Sequence, residues 1–110
     1  MPSIIPFDNS FASFSEEVTL DNVPYLLTFN YNIRFDFWTV SFKTRDETAI
    51  ADGIKIVLNY ELIRKYPELG LPPGALFAID TTGKEERVSR YNLGDTVQLY
   101  YLSEDEVDAI

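Results

Sequence analysis

Residues 14–33 read FSEEVTLDNVPYLLTFNYNI and hold two patterns of alternating apolar and polar side chains, one on each side of Asp21-Asn22. A period of two is typical of a strand with one buried face. Asp and Asn favour tight turns because their short side chains bond the local backbone. The stretch therefore predicts a β-hairpin. Its inward face would carry Phe14, Glu16, Val18, Leu20, Tyr25, Leu27, Phe29, Tyr31 and Ile33.

Outside this hairpin the same periodicity returns in short segments separated by turn residues. Gly53 interrupts one of them, and a glycine inside a strand pattern indicates a bulge or a close backbone approach. The predicted strands span 37–44, 49–57, 75–80 and 96–102, and 85–90 is either an edge strand or a loop. We expect an all-β fold, a small antiparallel β-barrel or sandwich of six to seven short strands with one short helix or long irregular loop.

The middle of the chain does not alternate. Leu58, Leu62 and Ile63 would share one face of a helix, so a short helix is predicted over 58–66. Prolines and glycines between 67 and 74 then prevent regular structure. We expect a long irregular connection there, and such loops are often functional.

The length of 110 residues predicts one domain. We place a single β-domain at residues 1–103 and an acidic tail at 104–110, which has four acids and no base. A charged chain end of this kind is expected to be solvated and mobile.

The charge and the missing residue types exclude several functions. The chain has 9 basic and 18 acidic residues, a formal net charge of −9, no His and no Cys. A Ser-His-Asp triad, a thiolate nucleophile, a disulfide and a Cys/His zinc site are therefore ruled out. The negative charge disfavours binding to nucleic acid or to an anionic membrane. We expect no cofactor and no metal.

The first residues lack the basic start and the apolar run of a signal peptide. No stretch approaches the ~20 apolar residues of a membrane helix. We therefore expect a protein that is made and kept in a cytoplasm-like compartment, or in a particle assembled there.

Paired carboxylates are the catalytic device that the composition leaves open, since two of them can hydrolyse a glycoside. Asp36, Asp52, Asp80 and Asp95 all fall at predicted turns, where Asp is favoured for its local hydrogen bonds alone. Nothing in the sequence distinguishes one of them as an acid from another as a base. An enzyme is the least favoured hypothesis.

Aromatic residues are in surplus, with eight Phe, seven Tyr and Trp38. Most fit the buried face of the predicted sheet, but others fall where burial is hard to arrange, and such side chains are enriched in protein interfaces. Few basic residues lie near them, which disfavours stacking with nucleic acid. The candidate interface residues are Phe7, Phe35, Phe37, Tyr60 and Tyr66, with Arg34, Ile4 and Ile5.

Two alternatives remain open at this point. The segment 4–7 either lies along the sheet edge of its own domain or reaches onto a neighbouring molecule. A small ligand-binding β-module, for example for carbohydrate, is the alternative function, with Trp38 or tyrosine rings as a stacking platform.

Landmarks along most of the chain resemble the baseplate plug family of contractile-tailed bacteriophages, cyanophage type. The strongest is the corner Tyr31-Asn32-Ile33-Arg34 followed by Trp38. The others are Ile4-Ile5-Pro6, Val18-Thr19-Leu20-Asp21, Tyr25-Leu26-Leu27, Asp52-Gly53-Ile54-Lys55-Ile56, Gly74-Ala75-Leu76-Phe77 and Tyr91-Asn92-Leu93-Gly94-Asp95 with Val97, Leu99 and Tyr100. Two departures concern local turns: Asp46-Glu47-Thr48 lacks a glycine, and Leu58-Asn59 stands where another glycine is common.

The resemblance implies a structural component of the virion tail baseplate with no enzymatic activity. It implies contact with the baseplate hub, spike and tube-initiator proteins near the central axis, where the protein would help to close the tube. Several copies, three or six, around the axis are expected because closed rings need repeated contacts.

Overall fold

The computed structural model describes residues 3–65, 70–85 and 87–108, in which seven strands and one short helix form. The strands lie in two antiparallel sheets, so the all-β expectation is confirmed. The elements are β1 (Ser3–Ile5), β2 (Ser13–Leu20), β3 (Val23–Asn32), β4 (Phe37–Thr44), β5 (Ala49–Lys55), β6 (Ala75–Asp80), β7 (Val97–Leu102) and α1 (Glu104–Asp108).

The larger sheet has the order β2-β3-β4-β5 and contains the predicted hairpin. β2 pairs with β3 over Ser13–Leu20 without a break in register. Asp21 and Asn22 have φ values of 52° and 67°, the two left-handed residues that suit a two-residue hairpin turn. Asp and Asn tolerate this conformation better than most residues, which explains why they stand at the turn.

The pairing of β5 with β4 is irregular, as a glycine in this strand predicts. Two register shifts fall between Val40 and Lys43. Gly53 has a φ of 67°, and its N–H donates to the Ser41 hydroxyl at 3.0 Å. β5 ends at Lys55, two residues earlier than the sequence predicts.

The helix predicted over 58–66 is wrong for the residues described there. The segment instead lies along the outer edge of β6, where the Asn59 N–H donates to Ala78 O at 2.8 Å and the Leu62 N–H donates to Leu76 O at 2.9 Å. Asn59 also has a φ of 65°, which a right-handed helix does not allow. Pairing with a strand edge that would otherwise lie open therefore overrides the helical spacing of the apolar residues.

The smaller sheet has the order β1-β7-β6. β1 pairs with β7 over Ser3–Ile5, so this segment lies along the sheet edge of its own domain. The chain continues from β5 of the larger sheet through residues 58–62, which pair with β6 of the smaller sheet, and β7 lies between β6 and β1 in that sheet. β1 and β2 are edge strands of the two sheets, and among the described residues no strand pairs with the outer edge of either.

The connection between β6 and β7 spans residues 81–96 and has no strand among its described residues, so the loop alternative for 85–90 is correct there. Asn92 holds it together. Its Oδ1 accepts the Ser89 N–H at 2.7 Å, and its Nδ2 donates to Glu85 Oε2 and to Arg87 O, both at 2.8 Å.

The core lies between the two sheets. Trp38, Phe29 and Phe42 are the largest fully buried side chains. Burial of one large apolar side chain contributes about 1.5–3 kcal/mol to folding. The other residues of this core include Ile5, Leu27, Val40, Ile56, Leu62, Leu76, Leu93, Val97 and Leu99.

The acidic chain end was predicted to be mobile, but residues 104–108 form α1. The overlooked signal is a capping box: the Ser103 hydroxyl accepts the Glu106 N–H at 3.2 Å, and Glu106 Oε1 accepts the Ser103 N–H at 2.9 Å. Acids in the first turn also suit the positive end of a helix. No helix in the described part of the chain has the length and apolar character needed to cross a membrane.

Candidate protein interface

The turn between β3 and β4 exposes two large apolar side chains. Ile33 is 86 % exposed and Phe35 is 69 % exposed. Ile33 was expected on the inward face, but the strand ends at Asn32, and the alternation ends with it. The Asn32 carboxamide oxygen accepts the N–H groups of Arg34 and Phe35 at 3.0 and 3.1 Å. A turn with its own hydrogen bonds therefore holds both apolar side chains away from the core.

Asp36 ties this turn to the β6–β7 connection. Its carboxylate accepts the Tyr31 hydroxyl at 2.5 Å and forms an ion pair with Arg87, whose guanidinium also donates to Asp36 O at 3.0 Å. The hydrogen bonds from Tyr31 and then Arg87 lower the pKa of Asp36, so the carboxyl is ionised at neutral pH. The hydrogen bond to Asp36 in turn raises the pKa of Tyr31. Asp36 thus fixes the turn and has no free oxygen pair poised for catalysis.

A groove of about 370 Å³ lies beside this turn. Three of the residues that the sequence nominated, Phe35, Phe37 and Tyr60, line it together. Tyr60 is 68 % exposed, and the Lys55 ammonium lies 5.0 Å from the centre of the Phe37 ring. The remaining lining residues are Asp36, Ile56, Val57, Leu58, Arg87 and Val88. The groove therefore combines apolar side chains with two cations, Lys55 and Arg87, and with the Asp36 carboxylate.

Two further exposed rings belong to loops at the same end of the molecule. Phe11 is 59 % exposed and Tyr91 is 70 % exposed. The Arg90 guanidinium lies 4.6 Å from the centre of the Tyr91 ring and also donates to Asn9 O. Asn9 Nδ2 in turn donates to Tyr91 O at 2.9 Å, so the loops that hold the two rings are bonded to each other. Ala12 O accepts the Tyr31 N–H at 2.8 Å, which fixes this loop to β3.

We call Phe11, Ile33, Phe35, Tyr60 and Tyr91 together the hairpin-end surface. They are five of the seven large hydrophobic residues that stand exposed among the described residues, the other two being Ile4 and Val23. Scattered exposed apolar residues are normal, whereas apolar residues gathered at one end of a domain are typical of a binding surface.

The other nominated residues are distributed differently. Ile4 is 56 % exposed but lies on β1, opposite Tyr100. Ile5 is only 2 % exposed and belongs to the core, so it is not available to a partner. Arg34 is exposed, with its guanidinium 5.8 Å from the centre of the Phe35 ring. Tyr66 lies outside the described residues.

Phe7 is largely a core residue. Its ring packs edge-on against Phe14, Phe29 and Trp38 at centroid distances of 5.0, 4.9 and 4.9 Å. Such contacts are favourable for aromatic pairs beyond the area that they bury. Phe7 was nominated as an interface residue, but its half-buried ring packs against the core, which is a structural role.

Trp38 is fully buried, and its indole N–H donates to Ser89 O at 3.1 Å. A ring without exposed faces cannot stack on a sugar, so Trp38 is not a carbohydrate platform. In the part of the chain that the structure describes, the large exposed rings belong to the hairpin-end surface instead.

Two of the carboxylates predicted at turns, Asp36 and Asp80, have structural partners. The Asp80 carboxylate accepts the Thr82 N–H and hydroxyl and the Glu85 N–H at 2.7–2.8 Å. Burial alone would raise the pKa of Asp80, but these hydrogen bonds outweigh it and lower the pKa to about 2. No group of three or more carboxylates arranged to hold a metal occurs among the residues that the structure describes.

Sequence reasoning missed Ile33 and Tyr91 as members of this surface, and it did not nominate Phe11 although burial is hard to arrange at that position near the N-terminus. A signal for Ile33 was present in Asn32 and Asp36, because an Asn and an Asp around three residues mark a turn whose side chains leave the sheet. Phe11 and Tyr91 became part of the surface only through contacts between distant loops, such as Arg90 with Asn9.

The fold and this end of it define a small antiparallel β-protein with an exposed aromatic surface. The chain belongs to the family described as cyanophage baseplate Pam3 plug gp18, whose sequence model matches residues 3–104. The family is one of structural baseplate proteins, which gives the chain a structural role in a phage tail baseplate and an association with other baseplate proteins. No curated protein is significantly similar to the chain in sequence.

Proposed function

We propose that the protein is a baseplate plug that packs its hairpin-end surface against the hub, spike and tube-initiator proteins near the tail axis. In this position it helps to close the tube and to assemble the baseplate. The observation that carries the proposal is that five exposed apolar side chains lie at one end of a protein of a baseplate plug family, where two of them, Phe35 and Tyr60, line a groove.

The construction of this end suits it to binding. Phe35 and Tyr60 expose large rings, and aromatic side chains often dominate the energy of protein interfaces. The turn that carries Phe35 is already held by Asn32 and Asp36. Little conformational entropy is then lost on binding, which strengthens the contact.

Charge supports a specific orientation of the partner. Lys55 and Arg87 line the groove, although the chain as a whole has a formal charge of −9. Arg87 is already paired with Asp36, so Lys55 is the cation that is stacked on a ring and available at the groove wall. A partner segment with an apolar residue and an acidic group fits this combination.

The plug acts in three or six copies around the axis. A tail hub has rotational symmetry, and each copy of a repeated hub subunit offers the same contact. Each copy would use the same hairpin-end surface, so a substitution there affects all contacts at once.

Co-assembly of purified hub proteins with variants of the full chain tests the proposal. Phe35→Ala combined with Tyr60→Ala should reduce incorporation by on the order of tenfold or more, because both rings leave the groove. Val23→Ala removes another exposed apolar side chain (45 %), at the opposite end of the sheet, and should incorporate like the natural chain. Equal incorporation of all three folded proteins would refute the assignment.

A further inference from the structure

β2 has the longest regular edge that stays open in the described part of the chain. β1 has three residues, β5 is interrupted by register shifts, and the outer edge of β6 is covered by residues 58–62. β2 instead offers eight residues in unbroken register, Ser13–Leu20. An open edge of this length is a template for another strand.

One inward side chain of β2 is polar. Glu16 occupies the face that also carries Phe14, Val18 and Leu20. Its Oε2 is buried and has no hydrogen-bond partner among the described residues. Burial raises the pKa of this carboxyl to about 7. A buried carboxyl oxygen that accepts no hydrogen bond destabilises the folded state. Because Glu16 lies on the open edge strand β2, a donor from another molecule can reach this oxygen.

We propose that the outer edge of β2 receives an extended strand of a partner protein, and that this strand carries a lysine or arginine whose side chain donates to Glu16 Oε2. Backbone hydrogen bonds along the edge supply general affinity. The charge-assisted hydrogen bond between the partner's cation and Glu16 supplies specificity. A partner strand without a cation would bury the carboxyl more deeply and leave it unpaired, which is unfavourable.

A second copy of this chain fits the edge poorly. β2 of a second copy can pair with this edge in two long antiparallel registers that keep the inward side chains of both strands on the same side of the sheet. In one register Glu16 lies opposite Glu16, and in the other Glu17 lies opposite Glu17. Like charges directly opposite each other destabilise a strand pair. Glu16 disfavours self-pairing in one register and Glu17 in the other, and Glu16 selects a basic partner strand. This edge is separate from the hairpin-end surface, and the inference does not rest on the binding role proposed there.

Peptide binding to the ¹⁵N-labelled full chain tests the inference by NMR. The probes are capped eight-residue peptides of alternating threonine and valine, with lysine, leucine or glutamate in place of one central valine. The lysine peptide should shift and protect the β2 amides and bind roughly tenfold more tightly than the leucine peptide, with the glutamate peptide weakest. In Glu16→Gln the preference for lysine should disappear while the fold is retained.

Glu17→Gln is the matched control, because Glu17 is the next residue on the same strand and faces outward, where it pairs with Arg45. This variant should keep the preference for the lysine peptide. Equal affinity for all peptides, absence of binding, or shifts confined to β5 would each overturn the inference. A dimer of the natural chain that forms through β2, seen by sedimentation and the same amide shifts, would also overturn it.

Discussion

Both ends of the β-structure are held by hydrogen bonds, but they differ in what they expose. At the hairpin end, Asn32, Asp36 and Asn9 bond the loops while aromatic rings point outward. The opposite end, which we call the polar end, consists of the turns at 21–22 and 45–48 together with α1. The exposed rings are therefore not the result of a loose loop, and their exposure is a property of that surface.

At the polar end, hydrogen bonds connect β7, the β2–β3 turn and α1. The Tyr101 hydroxyl donates to Asp21 Oδ2 at 2.5 Å and accepts the Gly74 N–H at 2.8 Å. Asp21 Oδ2 also accepts the Glu104 N–H at 3.1 Å, which attaches α1 to the β2–β3 turn. Burial, together with the bond to Asp21, raises the pKa of Tyr101. This end maintains the fold, whereas we assign binding to the hairpin end.

The largest effect on stability is expected from Gly74→Ala at the polar end. A Cβ there would lie 1.9 Å from Leu102 O and 2.7 Å from the Tyr101 ring. Because a backbone oxygen cannot move away cheaply, the free energy of unfolding should fall by about 3 kcal/mol or more. Urea unfolding measures this. Gly83→Asn is the control, since nothing lies within 4 Å of Gly83 and Asn tolerates its φ of 76°; a similar loss in both variants would contradict the account.

A smaller loss is expected from Tyr101→Phe. The change leaves the buried Gly74 N–H without an acceptor and removes one donor from Asp21. The free energy of unfolding should fall by about 1–3 kcal/mol, with little change in the m-value. Tyr100→Phe is the matched control on the same strand, where the side chain is half-buried. Equal stability of Tyr101→Phe and the natural chain would show that this network does not hold the polar end.

The third prediction concerns Glu16, which lies between the two ends of the molecule and makes the free energy of unfolding depend on pH. Its pKa is about 7 in the folded chain against an ordinary value of 4.5, so the folded state binds more protons between these values. Stability from this group is therefore lost as the pH rises from 4.5 to 7. Glu16→Gln should gain about 1–2 kcal/mol relative to the natural chain between pH 5 and pH 8, after allowance for the partial exposure of the group. If the difference in free energy of unfolding between Glu16→Gln and the natural chain does not change with pH, the burial of this carboxyl is contradicted.

The smallest effect on stability is expected at the hairpin-end surface. Phe35→Ala and Tyr60→Ala remove side chains that are mostly exposed, so each should change the free energy of unfolding by less than about 0.5 kcal/mol. The same variants are expected to lose incorporation into the baseplate. Thermal unfolding checks the first part. A large loss of stability would show that these rings belong to the core.

Much of the larger sheet was predictable because its signals are local. Strict alternation and the Asp21-Asn22 turn predict β2, β3 and their register, and Gly53 predicts an irregular β5. The false helix at 58–66 shows the limit of this approach. Its apolar spacing is helical, but the open edge of β6, distant in sequence, offers backbone hydrogen bonds that the spacing does not reveal.

The candidate surface was predictable only in part for the same reason. Phe35, Phe37 and Tyr60 were nominated because burial seemed hard to arrange at their positions, and the groove brings these three together. Phe7 was nominated on the same ground, and Ile5 because its apolar segment could reach a neighbouring molecule, but β1 pairs with β7 and carries them into or against the core. Whether an apolar residue near a chain end is buried depends on this long-range pairing.

Hydroxyl-radical footprinting of the free chain and of assembled baseplates tests the central claim most directly. Tyrosine and phenylalanine rings are oxidised in proportion to their exposure, so Phe35, Tyr60 and Tyr91 should be labelled in the free chain and protected by at least about fivefold in the baseplate. Val23, at the polar end, should be labelled similarly in both. Equal labelling of the three rings in free and assembled protein would contradict the account.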